Sequence, residues 1–343
     1  MKLKAFHRNL FLVALSLIIS VQAHAQANMT AEKWQADLHY LQEVVNSERS
    51  NLFHKITSAE FNRTVNELNA KIPQMQRHEI IVGLARLVAR FRIGHTVLPL
   101  QVWQHDPDPN IAFHRFPMLV YLFSDGVYVC AAKEQYRDAV GGRVVRLGKL
   151  AIDQALETVR PVVHYENEQG FKSAVPLYLS CPEVLHATGV IDDMKRAPLV
   201  IEKDGKQQTL WLQAEDAGNF PGNFGTVSPG EGWVDAQQFA KAPTPLWLKN
   251  LQRNFFYEYL PNSKTMYVRH SQVLNESDET IAAFFARVFK FVDENEVEKF
   301  VLDLRLNGGG NNYLNRPVIV GLIQARKINQ SGRLFTIIGR RTF

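Results

Sequence analysis

The stretch KFVLDLRLNGGGNN, residues 299–312, constrains the fold more than any other part of the chain. Residues 299–306 are nearly continuously apolar, as a strand buried on both faces requires. Three glycines follow, and residues 313–327 then show helical spacing at Leu314, Val318, Leu322 and Ile323. A second apolar run at 333–339 supplies the next inner strand. Upstream, KTMYVRH reads as a strand of alternating character. Residues 278–294 read as a helix with Ile281, Phe284, Phe285, Val288, Phe291 and Val292 turned inward. Strands alternating with helices in this way make a parallel α/β sheet with right-handed crossovers.

The glycines at 308–310 also bear on chemistry. Glycine accepts φ > 0 and lets backbone approach a ligand, and the first N–H groups of a helix point outward. Such a turn suits an oxyanion or a phosphate; it is also, without any ligand, an ordinary tight strand-to-helix turn. It lacks the Gly-Lys-Ser/Thr of a P-loop and the spaced glycines of a dinucleotide site. Asp303 and Arg305 lie two apart and face one side, which reads as a buried ion pair or turn cap, with an acid–base pair as the other reading. Asn307 and Asn311 read as hydrogen-bond partners of the loop backbone.

A second candidate lies in RFRIGHTVLPL, residues 90–100. His95 follows a helix ending at Gly94 and precedes a strand-like Val97-Leu98, where it reads either as a general base or as a satisfied structural histidine. The other ten histidines are scattered without metal-ligand spacing. Cys130 and Cys181 have no second Cys or His at ligand spacing either, so no metal is implied. The two cysteines read as one disulfide or as two buried free thiols.

Between these landmarks the chain divides readily. Three amphipathic helices are expected in residues 30–92. The first is capped by Thr30 and carries Trp34, Leu38, Leu41 and Val45. The second is capped by Ser58, carries Phe61, Val65, Leu68 and Ile72, and stops at Pro73. The third runs from about His78 to Phe91. From Phe116 the period becomes that of strands: a hairpin about Ser124-Asp125-Gly126, a strand from Val144 to Leu147, a helix carrying Ile152, Ala155, Leu156 and Val159, and a hairpin turning at Asp204-Gly205. Residues 214–250, rich in Gly and Pro, read as a connecting loop. The expected parts are 1–25, 26–100, 101–213, 214–262 and 263–343.

The amino terminus carries Lys2, Lys4 and Arg8, an apolar run from Leu10 to Val21, and Ala23-His24-Ala25 as a small-x-small cleavage site. That is a secretory signal over residues 1–25, too short to anchor the chain in a membrane once removed. The formal net charge of +5 falls to about +2 without the leader. With no clustered Lys/Arg stripe, nucleic acid is excluded as a partner.

Taken together, these stretches resemble the tail-specific, or C-terminal-processing, serine proteases. KFVLDLRLNGGGNN is similar to the family's Asp-Leu-Arg-x-Asn-x-Gly-Gly strand and turn. RIGHT is similar to the Gly/Ser-His-Thr stretch of its tricorn-like branch. GVYVCAAKEQYRDAVGGRVVRLGKLAIDQALETV is similar to its PDZ-like domain. The resemblance implies an α/β fold: a partial ClpP/crotonase-like protease core over 263–343, with an N-terminal helical cap and a PDZ-like domain over 101–213. It implies His95 as general base, the amides of Gly309 and Gly310 in an oxyanion hole, and Asp303, Arg305 and Asn307 in support. Gly94 stands where that branch can carry a supporting serine. Family members in which GRRTF appears continue into Ser-Ala, and that serine is the nucleophile, so the chain is expected to stop short of it; Ser331 lies at the wrong end of its strand. The implied activity is hydrolysis of polypeptides in the periplasm or outside the cell, without metal or organic cofactor. Two rivals are a non-catalytic peptide- or ligand-binding module of the same fold and a crotonase-like acyl-thioester enzyme, the latter opposed by export.

Overall fold

The computed structural model describes residues 29–47, 52–100, 112–216 and 229–342. The expected leader, the start of the expected PDZ-like part, residues 217–228 of the expected connecting loop and Phe343 lie outside the described residues. The chain forms two compact units: Met1–Met118, Phe123–Tyr128 and Gly142–Phe220 make one, and Leu119–Leu122, Val129–Gly141 and Pro221–Phe343 the other. Together they mix helix and sheet throughout. Among the described residues no helix is long and apolar enough to cross a membrane.

The first unit begins with three helices: α1 (Ala31–Ser47), α2 (Ser58–Lys71) and α3 (Arg77–Ala89). Their apolar stripes are buried as the periodicity predicts, with Leu38, Phe61, Val65 and Leu87 fully enclosed. Phe61 packs against Phe53 and Phe91 at ring separations of 6.1 and 5.3 Å. The cap of α2 is Thr57 and not Ser58. The Thr57 hydroxyl accepts from the Glu60 amide at 3.2 Å, and the Glu60 carboxylate accepts from the Thr57 amide at 2.9 Å. This reciprocal box is the reason the neighbouring serine is not used. Thr57→Ala should therefore cost about 1 kcal/mol in chemical denaturation, while Ser58→Ala costs almost nothing. The reverse order would restore Ser58 as the cap.

Short strand β1 (His114–Arg115) comes next, followed by β2 (Met118–Leu122) and β3 (Val127–Lys133) on either side of the expected turn, which Phe123 N–H closes onto Gly126 O at 2.7 Å. In the first unit β4 (Arg143–Leu147) pairs antiparallel with β5 (Leu150–Ala151). Three helices follow, α4 (Ile152–Val159), α5 (Glu168–Leu179) and α6 (Pro182–Ala187), where the sequence indicated only α4. Asn167 caps α5 by accepting from the Gln169 and Gly170 amides, and the helix tolerates Pro176 near its end. Strands β6 (Arg196–Lys203) and β7 (Lys206–Gln213) form the expected hairpin. Asp204 and Gly205 at its turn have φ of +52° and +72°, the left-handed pair that a two-residue hairpin needs. β6 also pairs antiparallel with β4, and β8 (Glu215–Asp216) pairs with β1.

In the second unit β9 (Trp233–Asp235) pairs with residues 131–133 of β3. The stretch expected as connecting chain also contains β10 (Phe255–Leu260), antiparallel to β11 (Thr265–His270). All six residues of β11 are buried, so its apparent alternation in sequence does not mark a solvent face. Its charged member, Arg269, is wholly enclosed and donates to the carbonyls of Trp247, Lys249, Asn250 and Arg253, tying residues 247–253 to the sheet. After α7 (Ile281–Glu294) comes β12 (Lys299–Asp303), and after α8 (Arg316–Gln324) comes β13 (Leu334–Ile337). The order is β10-β11-β12-β13, with the last three parallel. Phe284, Phe285, Val288 and Phe300 fill the space between α7 and the sheet.

Strand β13 differs from the buried run that its composition implied. Among the described residues it lies at the sheet edge, with Phe335 43% and Ile338 68% exposed. Ile319 and Ile323 of α8 are exposed as well.

Candidate functional site

The glycine turn sits at the carboxyl ends of the parallel strands, where open α/β sheets place ligands. β12 ends at Asp303, and a turn closed by Asn307 N–H to Leu304 O, 2.9 Å, leads into the glycines. Asn307 is buried and works in two directions. Its Nδ2 donates to His270 O at 2.9 Å, fixing the turn to the end of β11, and its Oδ1 accepts the Gly309 amide at 2.8 Å. Beyond it, Val273 N–H donates to Gly309 O at 2.9 Å and Asn311 N–H to Val273 O at 3.0 Å. Gly309 and Gly310 hold φ of +95° and +137°. A side chain at 310 would put its Cβ 2.4 Å from Val273 O, so only glycine fits there.

These bonds sort the three amides. The Gly309 N–H is turned inward onto Asn307, whereas the Gly308 and Gly310 N–H groups have no acceptor among the described residues. Gly308 also has open space where a Cβ would stand. A negatively charged oxygen is the kind of ligand that such unspent amides accept.

Asp303 and Arg305 form the ion pair, and a tyrosine that the sequence did not single out joins them. Asp303 is fully buried and accepts from Tyr267 Oη at 2.7 Å, from Arg305 Nη2 at 2.5 Å and from the Arg305 amide at 3.0 Å. Burial alone would raise its pKa, but the bonds from Arg305 and Tyr267 outweigh it and hold the carboxyl below its ordinary value. Burial, then the Asp303 carboxylate, push the Tyr267 phenol well up. The Arg305 guanidinium lies 4.9 Å over the Trp247 ring. The cluster is a fixed ionised brace beneath the turn.

His270, at the end of β11, is tied to this turn through its carbonyl, yet it is unsuited to proton transfer. Its ring packs on Phe255 and Phe285, its Nε2 meets Gln272 O at 3.0 Å, and burial lowers its pKa to about 4. It is neutral at any physiological pH and faces the core.

His95 belongs to the first unit and is exposed, at the third position of a turn closed by Thr96 N–H to Ile93 O at 2.9 Å. Two contacts secure this turn. The Gly94 amide donates to Glu166 Oε1 at 2.6 Å, and the Arg92 guanidinium lies 3.7 Å over the Tyr165 ring. Beside it a cavity of about 270 Å³ is lined by Arg86, Arg90, Arg92 and Arg160, of which Arg160 is paired with Glu157 and Glu168.

Cys130 and Cys181 are both free thiols. Burial pushes each up to about 12, so neither is a nucleophile at neutral pH. Ser271, the residue after β11, is wholly buried with no partner for its hydroxyl. The histidines do not all stay scattered: His78 and His186, far apart in sequence, meet in the first unit.

No family model matches the chain, and no curated protein matches it. Among solved structures it aligns with the photosystem II D1 C-terminal processing protease at 14% identity and a TM-score of 0.30. The alignment covers 83% of this chain and 64% of that one, so the chain spans under two thirds of that protein's length.

Proposed function

We propose that these residues belong to an exported serine-type peptidase of the tail-specific kind, acting on polypeptides in the periplasm or outside the cell, whose nucleophilic serine is not assigned to any residue of this stretch. The observation that carries the reading is the glycine turn at the end of β12. It is a rigid loop braced by Asp303, Arg305 and Asn307 that leaves backbone amides without acceptors. Acyl transfer needs such donors, aimed at the oxygen that becomes negative in the tetrahedral intermediate. In this reading Gly309 shapes the hole and Gly310 supplies a donor. His95, assigned from the RIGHT motif, takes the proton of the serine and returns it to the leaving amine. The ClpP/crotonase-like core provides the cleft, and the PDZ-like part over 101–213 receives an extended peptide along a sheet edge.

The test is a fluorophosphonate serine probe on the protein produced from its natural reading frame. Labelling that disappears in His95→Ala supports the peptidase. No labelling of the unmodified protein, or labelling indifferent to His95→Ala, sinks it. The first of those outcomes favours a binding module of the same fold.

A further inference from the structure

The first unit brings together a group of side chains that the proposed chemistry does not use. His78 is the second residue of α3 and His186 lies in the last turn of α6, and these two helices pack on one another. His78 Nε2 and His186 Nδ1 stand 2.9 Å apart, with the ring planes at 61°. Glu79 follows His78, and one ligand atom from each of the three lies within 4.8 Å of the others. His78 is 7% exposed, and the other two are half-buried and reach solvent.

We propose that His78 Nε2, His186 Nδ1 and a carboxylate oxygen of Glu79 form a three-ligand site for a divalent transition metal ion, with Zn²⁺ the best-matched class. Two imidazoles and a carboxylate, with a fourth position left to water, are a donor set that Zn²⁺ takes readily. Metal–ligand bonds of about 2.0–2.1 Å in a tetrahedron hold donor atoms roughly 3.3 Å apart, so the histidine pair has to open by only a few tenths of an ångström.

The proton balance is simple. At present one ring N–H lies between the two nitrogens. Moving that proton to the other nitrogen of its own ring frees a lone pair on each of the two facing nitrogens, which a small rotation of the rings aims at the ion, with no net proton released. One Glu79 oxygen accepts the Gln76 amide at 2.7 Å, and that bond orients the carboxylate while leaving its second oxygen available. An ion here would clamp α3 to α6.

The experiment uses the metal-free chain dialysed against Zn²⁺, with Co²⁺ as a spectroscopic probe. One equivalent should bind. His186→Ala and Glu79→Gln should each weaken binding by at least about tenfold, and His39→Ala, at an exposed histidine of α1, should leave it unchanged. Because His186→Ala could impair folding, the unmodified protein gives an independent reading: bound Co²⁺ should show the intense visible bands of four-coordination. Uptake of no stoichiometric Zn²⁺, weak six-coordinate Co²⁺ bands, or binding that survives both ligand substitutions would overturn the proposal and leave a neutral histidine–histidine hydrogen bond.

Discussion

Asp303→Ala should destabilise the second unit by about 3–5 kcal/mol, because it strands a buried phenol and a guanidinium at once. Asp303 has no exposed surface, so water cannot take its place beside Tyr267 Oη. Arg305 is one-third exposed and can turn to solvent, so Arg305→Ala should cost less than the loss of its partner. Asp303→Asn keeps the shape and an acceptor for Tyr267 but removes the charge, and should fall between them. Acid should act on the same group. The folded carboxyl titrates below its ordinary value of about 3.8, so its contribution is complete above that value and is lost as pH falls through the lower, folded pKa. Urea midpoints at neutral pH, repeated in acid, measure both effects. Equal stability of Asp303→Ala and the parent would remove the brace from the account.

The glycine turn should respond in graded fashion to alanine. Gly310→Ala should cost about 3 kcal/mol or more, since its φ of +137° is hostile to a side chain and its Cβ would stand 2.4 Å from the backbone oxygen of Val273. Gly309→Ala has the unfavourable φ of +95° but open space, and should cost about 1 kcal/mol. Gly308→Ala has neither handicap and should be nearly neutral. On the proposed reading, shifting the Gly310 amide should lower kcat about 10²-fold, the usual loss of one oxyanion donor. If all three substitutions cost the same, the turn is not held in the conformation described. If Gly310→Ala left turnover intact, its amide would have no part in the chemistry.

Much of this architecture is legible in the sequence where one physical rule acts alone. The 3.6-residue stripes of Leu38, Phe61 and Leu87, the Asp204-Gly205 turn and the alternation of β11, α7, β12, α8 and β13 all follow from periodicity and turn chemistry. Competing rules hid the rest. Pro176 masks α5, because a proline near a helix end looks like a break until Asn167 is seen capping the other end. FFYEYL is strongly β-prone, yet it lies next to a proline- and glycine-rich stretch and reads as part of it. The Asp303–Arg305 pair is visible at spacing two, but Tyr267 comes from the neighbouring strand, and cross-strand partners depend on register. His78 and His186 are separated by 108 residues, a contact that no local pattern can announce.

The proposed reading requires that the imidazole of residue 95 and the amides after Leu306 serve one reacting carbonyl, and a distance measurement tests that requirement directly. A nitroxide attached at His95→Cys, with glycine amides labelled for NMR, reports proximity residue by residue. Buried Cys181 and mostly buried Cys130, with thiols pushed up to about 12, should react far more slowly with the label than the exposed position 95. The Gly308 and Gly310 resonances should broaden strongly, while exposed Gly205 at the tip of a hairpin serves as an internal comparison. Full intensity at both turn glycines would contradict the assignment of His95 as the base.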